Sequence, residues 1–240
     1  MAAQALAAPP ATNVEKLRPL PPGQVKLLPG PFRDRFELNR AYVLSLKNQN
    51  LLQNYYQEAG LWSPQLRMTA MGAKERGDDL HWGWESPTCQ LRGHFLGHWL
   101  SAAAYLAGSA QDAEARAKAD RVVSELARIQ EENGGQWAAS IPEKYLFWIA
   151  RRKPVWAPHY TVHKTFMGLV DMHKLTGNRQ ALEIAEKFAG WFHEWTRDFT
   201  REQMDDILDV ETGGMLEVWA DLYGITGKQI YRDLIAKYRR

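Results

Sequence analysis

Two histidine pairs are the residues in this chain best spaced for chemistry. His94 and His98 stand four apart in Leu91-Arg92-Gly93-His94-Phe95-Leu96-Gly97-His98-Trp99, and His159 and His163 repeat the spacing in Pro158-His159-Tyr160-Thr161-Val162-His163-Lys164. On a helix, residues four apart share a face, so each pair presents two imidazoles side by side. Three roles use that arrangement. Such a pair can hold zinc, but Phe95 follows His94, so the His-Glu-x-x-His pattern with its general base is absent and no third ligand is evident. The pairs can be core histidines satisfied by backbone or neighbouring side chains. Or they can bind a polyhydroxylated ligand, since a neutral imidazole offers one donor and one acceptor.

Aromatic residues bear on that choice. The chain has ten Trp, nine Tyr and eight Phe, and several sit just ahead of the histidine pairs. His81-Trp82-Gly83-Trp84-Glu85 precedes the first pair, and Trp148 and Trp156 precede the second. Aromatics of this number build a core, or stack on the apolar C–H faces of sugar rings. Their position beside both pairs favours the sugar reading and marks His94, His98, His163, Trp84 and Trp156 as candidate ligand-binding residues. Glycosidic chemistry would also need carboxylates in pairs, about 5 Å apart for retention and farther for inversion. Glu85, Glu143, Glu211 and Glu217 lie near predicted helix mouths, and any one of them reads equally as a solvated or capping group. Glu85 and Glu217 join the candidate binding set. Cys89 has no local base or positive partner and reads as a plain thiol.

The elements that position these residues are helical. Leu91, Phe95, Trp99, Ala102 and Leu106 recur at steps of four and three, with His94, His98, Ser101 and Tyr105 on the neighbouring face. Gly93 and Gly97 weaken that helix and imply close backbone approach by another helix or a ligand. Asp112 opens a return helix that ends at Asn133-Gly134-Gly135. Pro158 suits a first helical turn, and Thr176-Gly177-Asn178 closes that helix and caps the next. A third pair turns at Thr226-Gly227-Lys228. Residues 60–88, 136–157 and 196–214 read as loops, always at the same end of each helical hairpin. The fold class is therefore all-α, an incomplete (α/α)6 toroid of about three helical hairpins with long loops at one end. Residues 1–31 are a proline-rich arm in which Val25–Leu28 pairs briefly as a strand, and helical patterning starts near Asp34.

The totals exclude several classes. A net charge of +2 gives no field for nucleic acid. One cysteine excludes an intramolecular disulfide, and no apolar run approaches the roughly 20 residues of a membrane span. The Ala-rich start, with small residues at A-x-A spacing, resembles the tail of a signal peptide but lacks its basic and apolar regions. A periplasmic or secreted location is expected if a leader lies upstream, and a cytoplasmic one otherwise.

The segment Gln90-Leu91-Arg92-Gly93-His94-Phe95-Leu96-Gly97-His98-Trp99-Leu100-Ser101-Ala102 resembles a signature of the bacterial β-L-arabinofuranosidases, glycoside hydrolase family 127 and relatives. Further matches run in order: Gly30-Pro31-Phe32, Gly83-Trp84-Glu85, Glu132-Asn133-Gly134-Gly135, Pro142-Glu143, Pro154-Val155-Trp156-Ala157-Pro158 with His163-Lys164, and Gly213-Gly214-Met215 with Glu217-Val218. The resemblance implies the N-terminal half of an (α/α)6 glycoside hydrolase catalytic domain at residues 32–240. It implies hydrolysis of terminal β-L-arabinofuranosides of plant glycans with retention, and an L-arabinofuranosyl saccharide as partner. It also implies zinc in the full-length family, holding a cysteine thiolate nucleophile, with a separate glutamate as acid/base. Those motifs fall beyond Arg240, so no catalytic residue, metal ligand or cofactor is assigned within this chain. His98 and His163 match substrate-binding positions, with His94 beside them. A half-toroid exposes apolar edges at about 25 cal/mol per Å², so poor solubility, self-association through that edge and little activity are expected. The alternatives are another glycan-processing enzyme on the same toroid and a non-catalytic helical binding scaffold.

Overall fold

The computed structural model describes residues 20–61 and 80–240, and among them there are helices and no strand. The chain begins with α1 (Pro31–Ser45), α2 (Asn48–Leu51) and α3 (Gln53–Glu58), then a single 3-10 turn at Gly83–Glu85. Three hairpins follow: α4 (His94–Ser109) with α5 (Ala113–Glu132), α7 (Pro158–Thr176) with α8 (Arg179–Thr196), and α10 (Met215–Thr226) with α11 (Gln229–Tyr238). Between them stand α6 (Lys144–Ala150) and α9 (Arg201–Val210). Helix α4 packs on α7 and α7 on α10, while α5 packs on α8 and α8 on α11. These are the inner and outer layers of a toroid sector, and α1 continues it by packing on α4 and α5.

Local chemistry sets the helix ends. The Asp112 side chain accepts from the backbone N–H groups of Glu114 and Ala115 at the start of α5, and Asn178 accepts from Ala181 at the start of α8. Pro158 occupies the first turn of α7, and Gly177 closes that helix at φ 72°. Between the layers lies an aromatic core. Phe166 stacks on Phe188 with ring centroids 4.4 Å apart, and Phe192 and Trp219 pack edge-on or tilted around them.

The inner layer is held by close backbone contact. A Cβ at Gly97 would overlap the Lys164 carbonyl, one at Gly168 would come within 2.8 Å of the Gly97 oxygen, and one at Gly108 within 2.5 Å of the Leu175 oxygen. Helix α7 is therefore what approaches Gly97. Gly93 lies before the helix rather than in it, at φ 86°, and its missing Cβ makes room for Ser140.

Four details differ from the sequence expectation. Val25–Leu28 forms no strand. Helix α1 starts at Pro31 behind Gly30, so Asp34 sits in its first turn instead of capping it. The stretch 136–157 contains α6, whose uniformly apolar Tyr-Leu-Phe-Trp-Ile-Ala run carries no periodic signal. The stretch 196–214 contains α9, opened by a capping box between Thr200 and Gln203. Most of the arm and most of the 60–88 stretch lie outside the described residues.

Candidate functional site

Carboxylates fix the first turns of the two histidine-bearing helices. Glu85, buried, accepts from Gly93 N–H at 2.6 Å with one oxygen and from Phe95 N–H at 2.9 Å with the other. The His94 Nδ1 lies 2.7 Å from the same carboxylate and 2.9 Å from the Leu91 carbonyl, so it donates to both. Asn54 donates to the Glu85 backbone and carboxylate, tying the turn to α3. Glu211 does the same for α7, accepting from the backbone N–H groups of His159 at 2.8 Å and Tyr160 at 2.7 Å. Acidic groups at helix N-termini satisfy orphan N–H groups and oppose the helix dipole.

The two histidine pairs are not equivalent. His159 is fully buried. Its Nδ1 donates to the Glu211 carbonyl at 3.1 Å, and its Nε2 accepts from the Tyr238 hydroxyl at 3.1 Å. Burial pushes it down to about 4, so it is a neutral core histidine against Phe192 and Trp195. His94 is nearly buried. Burial lowers its pKa, but the hydrogen bond and charge of Glu85 outweigh that and leave it raised.

The second member of each pair lies one turn further along, His98 exposed and His163 buried, with 6% of its surface open. His98 is exposed, 3.4 Å from the Tyr160 hydroxyl across the α4–α7 seam, with its ring 6.0 Å from that of His94. Burial of part of its ring, then the charges of Lys164 and His94, depress it. His163 is driven down to about 4 by burial, with Lys164 and His98 adding to the effect. Its Nε2 is 4.0 Å from Glu217 on α10, a carboxylate 77% exposed. Gly214 leaves room for the His163 ring, which a Cβ there would overlap. At neutral pH both mouth imidazoles are uncharged.

Aromatic side chains flank them. Trp84 and Trp156, 63% and 51% exposed, meet edge to face at 6.3 Å, and Trp84 lies 6.2 Å from the His94 ring. Gln90 anchors the Trp156 backbone N–H at 2.7 Å, and Ala157 in the left-handed conformation turns the chain into α7. The Lys164 ammonium stands 4.8 Å above the Tyr160 ring. The structure thus groups Trp84, Trp156, His94, His98, His163 and Glu217 at one end of the inner helices, with Glu85 beneath them as the group that holds α4. Sequence reasoning passed over Tyr160, Lys164 and Gly214. The first two stand beside the histidines on α7, and the Gly213-Gly214 pair ahead of α10 was a visible sign of tight approach.

Concavity alone does not mark this place: a 730 Å³ cleft lined by Arg33, Phe36, Arg40, Tyr105 and Gln111 lies near the other end of α4. Among the described residues no group of three or more His, Cys, Asp or Glu side chains comes together as a metal ligand set. By themselves these residues do not make a zinc centre. No helix among them is long and apolar enough to cross a membrane.

A family model described as the β-L-arabinofuranosidase GH127 catalytic domain matches residues 24–240. Among solved structures, the chain is similar to a GH127 β-L-arabinofuranosidase from Geobacillus stearothermophilus T6. The identity is 20% and the TM-score 0.50, over 86% of this chain and 29% of that one. The chain therefore spans less than a third of that relative's length, and at this identity the likeness carries the fold. No curated protein matches the chain. The family match extends over nearly all of the described fold, including both histidine helices, and the chain belongs to the GH127 β-L-arabinofuranosidase catalytic-domain family.

Proposed function

We propose that this chain forms the sugar-gripping wall of a glycoside hydrolase acting on terminal β-L-arabinofuranosides of plant glycans. The reading rests above all on two neutral imidazoles, His98 and His163, brought together from adjacent inner helices beside the exposed rings of Trp84 and Trp156. Each neutral ring donates once and accepts once, matching adjacent hydroxyls of a sugar. The indoles offer apolar faces to the C–H side of the ring. Glu217 accepts from a further hydroxyl. Glu85 and His94 act one layer back, fixing the first turn of α4. The chain binds and orients the glycan, and no nucleophile or acid/base is assigned to its residues.

Calorimetric titration with methyl β-L-arabinofuranoside tests this. His98→Ala and Trp156→Ala should each weaken binding about tenfold, the loss of one contact worth about 1.4 kcal/mol. Both side chains are exposed, so the melting temperature should hold. Affinity equal to the unaltered chain in both variants would remove the basis for the reading.

A further inference from the structure

A second concavity lies on the outer layer and shares no residue with the mouth. It is a 630 Å³ groove between α6 and the C-terminal half of α8, lined by Phe147, Trp191, Trp195 and Phe199 with Gln136, Arg151, Glu194 and Asp198. Trp191 and Trp195, one helical turn apart, stack at 5.8 Å with planes 20° apart. Phe147 stands almost perpendicular to both, at 6.2 and 6.5 Å, and is 40% exposed. Phe199 closes the far side against Trp195 at 5.3 Å. Trp191 and Trp195 are each only 9% exposed and form the floor of the groove, with the exposed Phe147 and half-buried Phe199 as its open walls.

The polar groups around it narrow the occupant. The side chains of Gln136, Arg151 and Asp198 make no hydrogen bond or ion pair among the described residues, although all three are exposed on the groove. Glu194 is paired with Arg197. The Trp195 indole N–H is buried without an acceptor. The unpaired set is one amide, one cation and one anion, which together carry no net charge. A strongly acidic ligand would meet the like charge of Asp198, and a strongly basic one that of Arg151. A neutral ring with both donors and acceptors at its edge, and apolar C–H faces, meets a partner at every group.

We propose that this groove is a second saccharide site, taking the neutral sugar rings of an oligosaccharide chain apart from the mouth. It stands on its own residues and does not depend on the role of His98 or His163. The test is titration of the full chain with L-arabinotetraose, followed by calorimetry and tryptophan fluorescence, in Phe147→Ala, Asp198→Asn and His98→Ala. The expected result is a binding component weakened about tenfold by Phe147→Ala and by Asp198→Asn and untouched by His98→Ala. Asp198→Asn removes an exposed, unpaired carboxylate, so its melting curve should overlay that of the unaltered chain and separate binding loss from unfolding. Absence of any component sensitive to both groove variants overturns the proposal. So does self-association that Phe147→Ala abolishes without a saccharide response, which would give the groove to a second copy of the chain. Failure of the mouth reading appears separately, as an isotherm that His98→Ala leaves wholly unchanged while the groove variants still alter it.

Discussion

The histidines show how one spacing serves two ends. His94 and His159 open their helices and point into structure, one onto Glu85 and the other between the Glu211 carbonyl and Tyr238. His98, a turn later, reaches the mouth, while His163 is buried with its Nε2 4.0 Å from the exposed Glu217. Their protonation follows from surroundings, and its sign can be tested. His159 has a folded-state pKa of about 4 against an ordinary value of 6.5, so the unfolded chain takes the proton first. Its contribution is intact above pH 6.5 and is lost as pH falls toward 4, with a total of roughly 3 kcal/mol. Denaturant melts from pH 7 to 4 should show a shallower fall in His159→Gln than in the unaltered chain, and parallel curves would contradict this. His94 has the opposite sign: raised by Glu85, it adds stability below 6.5 that is lost as pH rises through its folded value. Glu85→Gln should lower the His94 pKa in an NMR titration and cost about 1–2 kcal/mol, because the first turn of α4 loses a charged acceptor. Sequence spacing identified all four histidines. It did not separate core from mouth, because that depends on the outer helix α11 supplying Tyr238 from the far end of the chain.

At the scale of elements, the glycines carry the argument. Gly97 and Gly168 let α4 and α7 touch backbone to backbone, and that contact sets the distance between His98 and Tyr160. Gly97→Ala would gain helix propensity of roughly 1 kcal/mol, yet the added methyl would overlap the Lys164 carbonyl, which is backbone and cannot step aside. Separation of the helices should dominate, with a net loss of about 2 kcal/mol or more on thermal or urea unfolding; a stabilised variant would show that the seam is looser than described. The sequence carried the sign of this contact in Gly97 and left open whether a helix or a ligand made it, whereas Gly93 makes room for Ser140. The three hairpins, their caps at Asp112 and Asn178, and the close of α7 at Gly177 were all legible from local chemistry. Helix α6 was not, and α9 carried local signals but was read as a loop. The first has no polar face to give a period, and the second is signalled by the Thr200–Gln203 capping box and the apolar Met204, Ile207 and Leu208.

For the whole molecule, the layers explain why so many aromatic residues are present. Trp137, Trp219, Phe166, Phe188 and Phe192 are buried between inner and outer helices, whereas Trp84 and Trp156 are exposed at the mouth. Composition alone had both uses in view, and only the assignment of each residue to a layer divides them. Glu85, Glu211 and Glu217 divide in the same way, the first two into helix caps and the third onto the open face of α10. The role proposed for the mouth of these inner helices is to grip a sugar. The most direct measurement is an NMR titration with methyl β-L-arabinofuranoside that follows the indole N–H signals of the tryptophans and the imidazole signals of the histidines. Saturable shifts are expected at Trp84, Trp156, His98 and His163, with Trp137, Trp219 and His159 unmoved. A titration in which the four mouth residues stay still, whatever moves elsewhere, would contradict it.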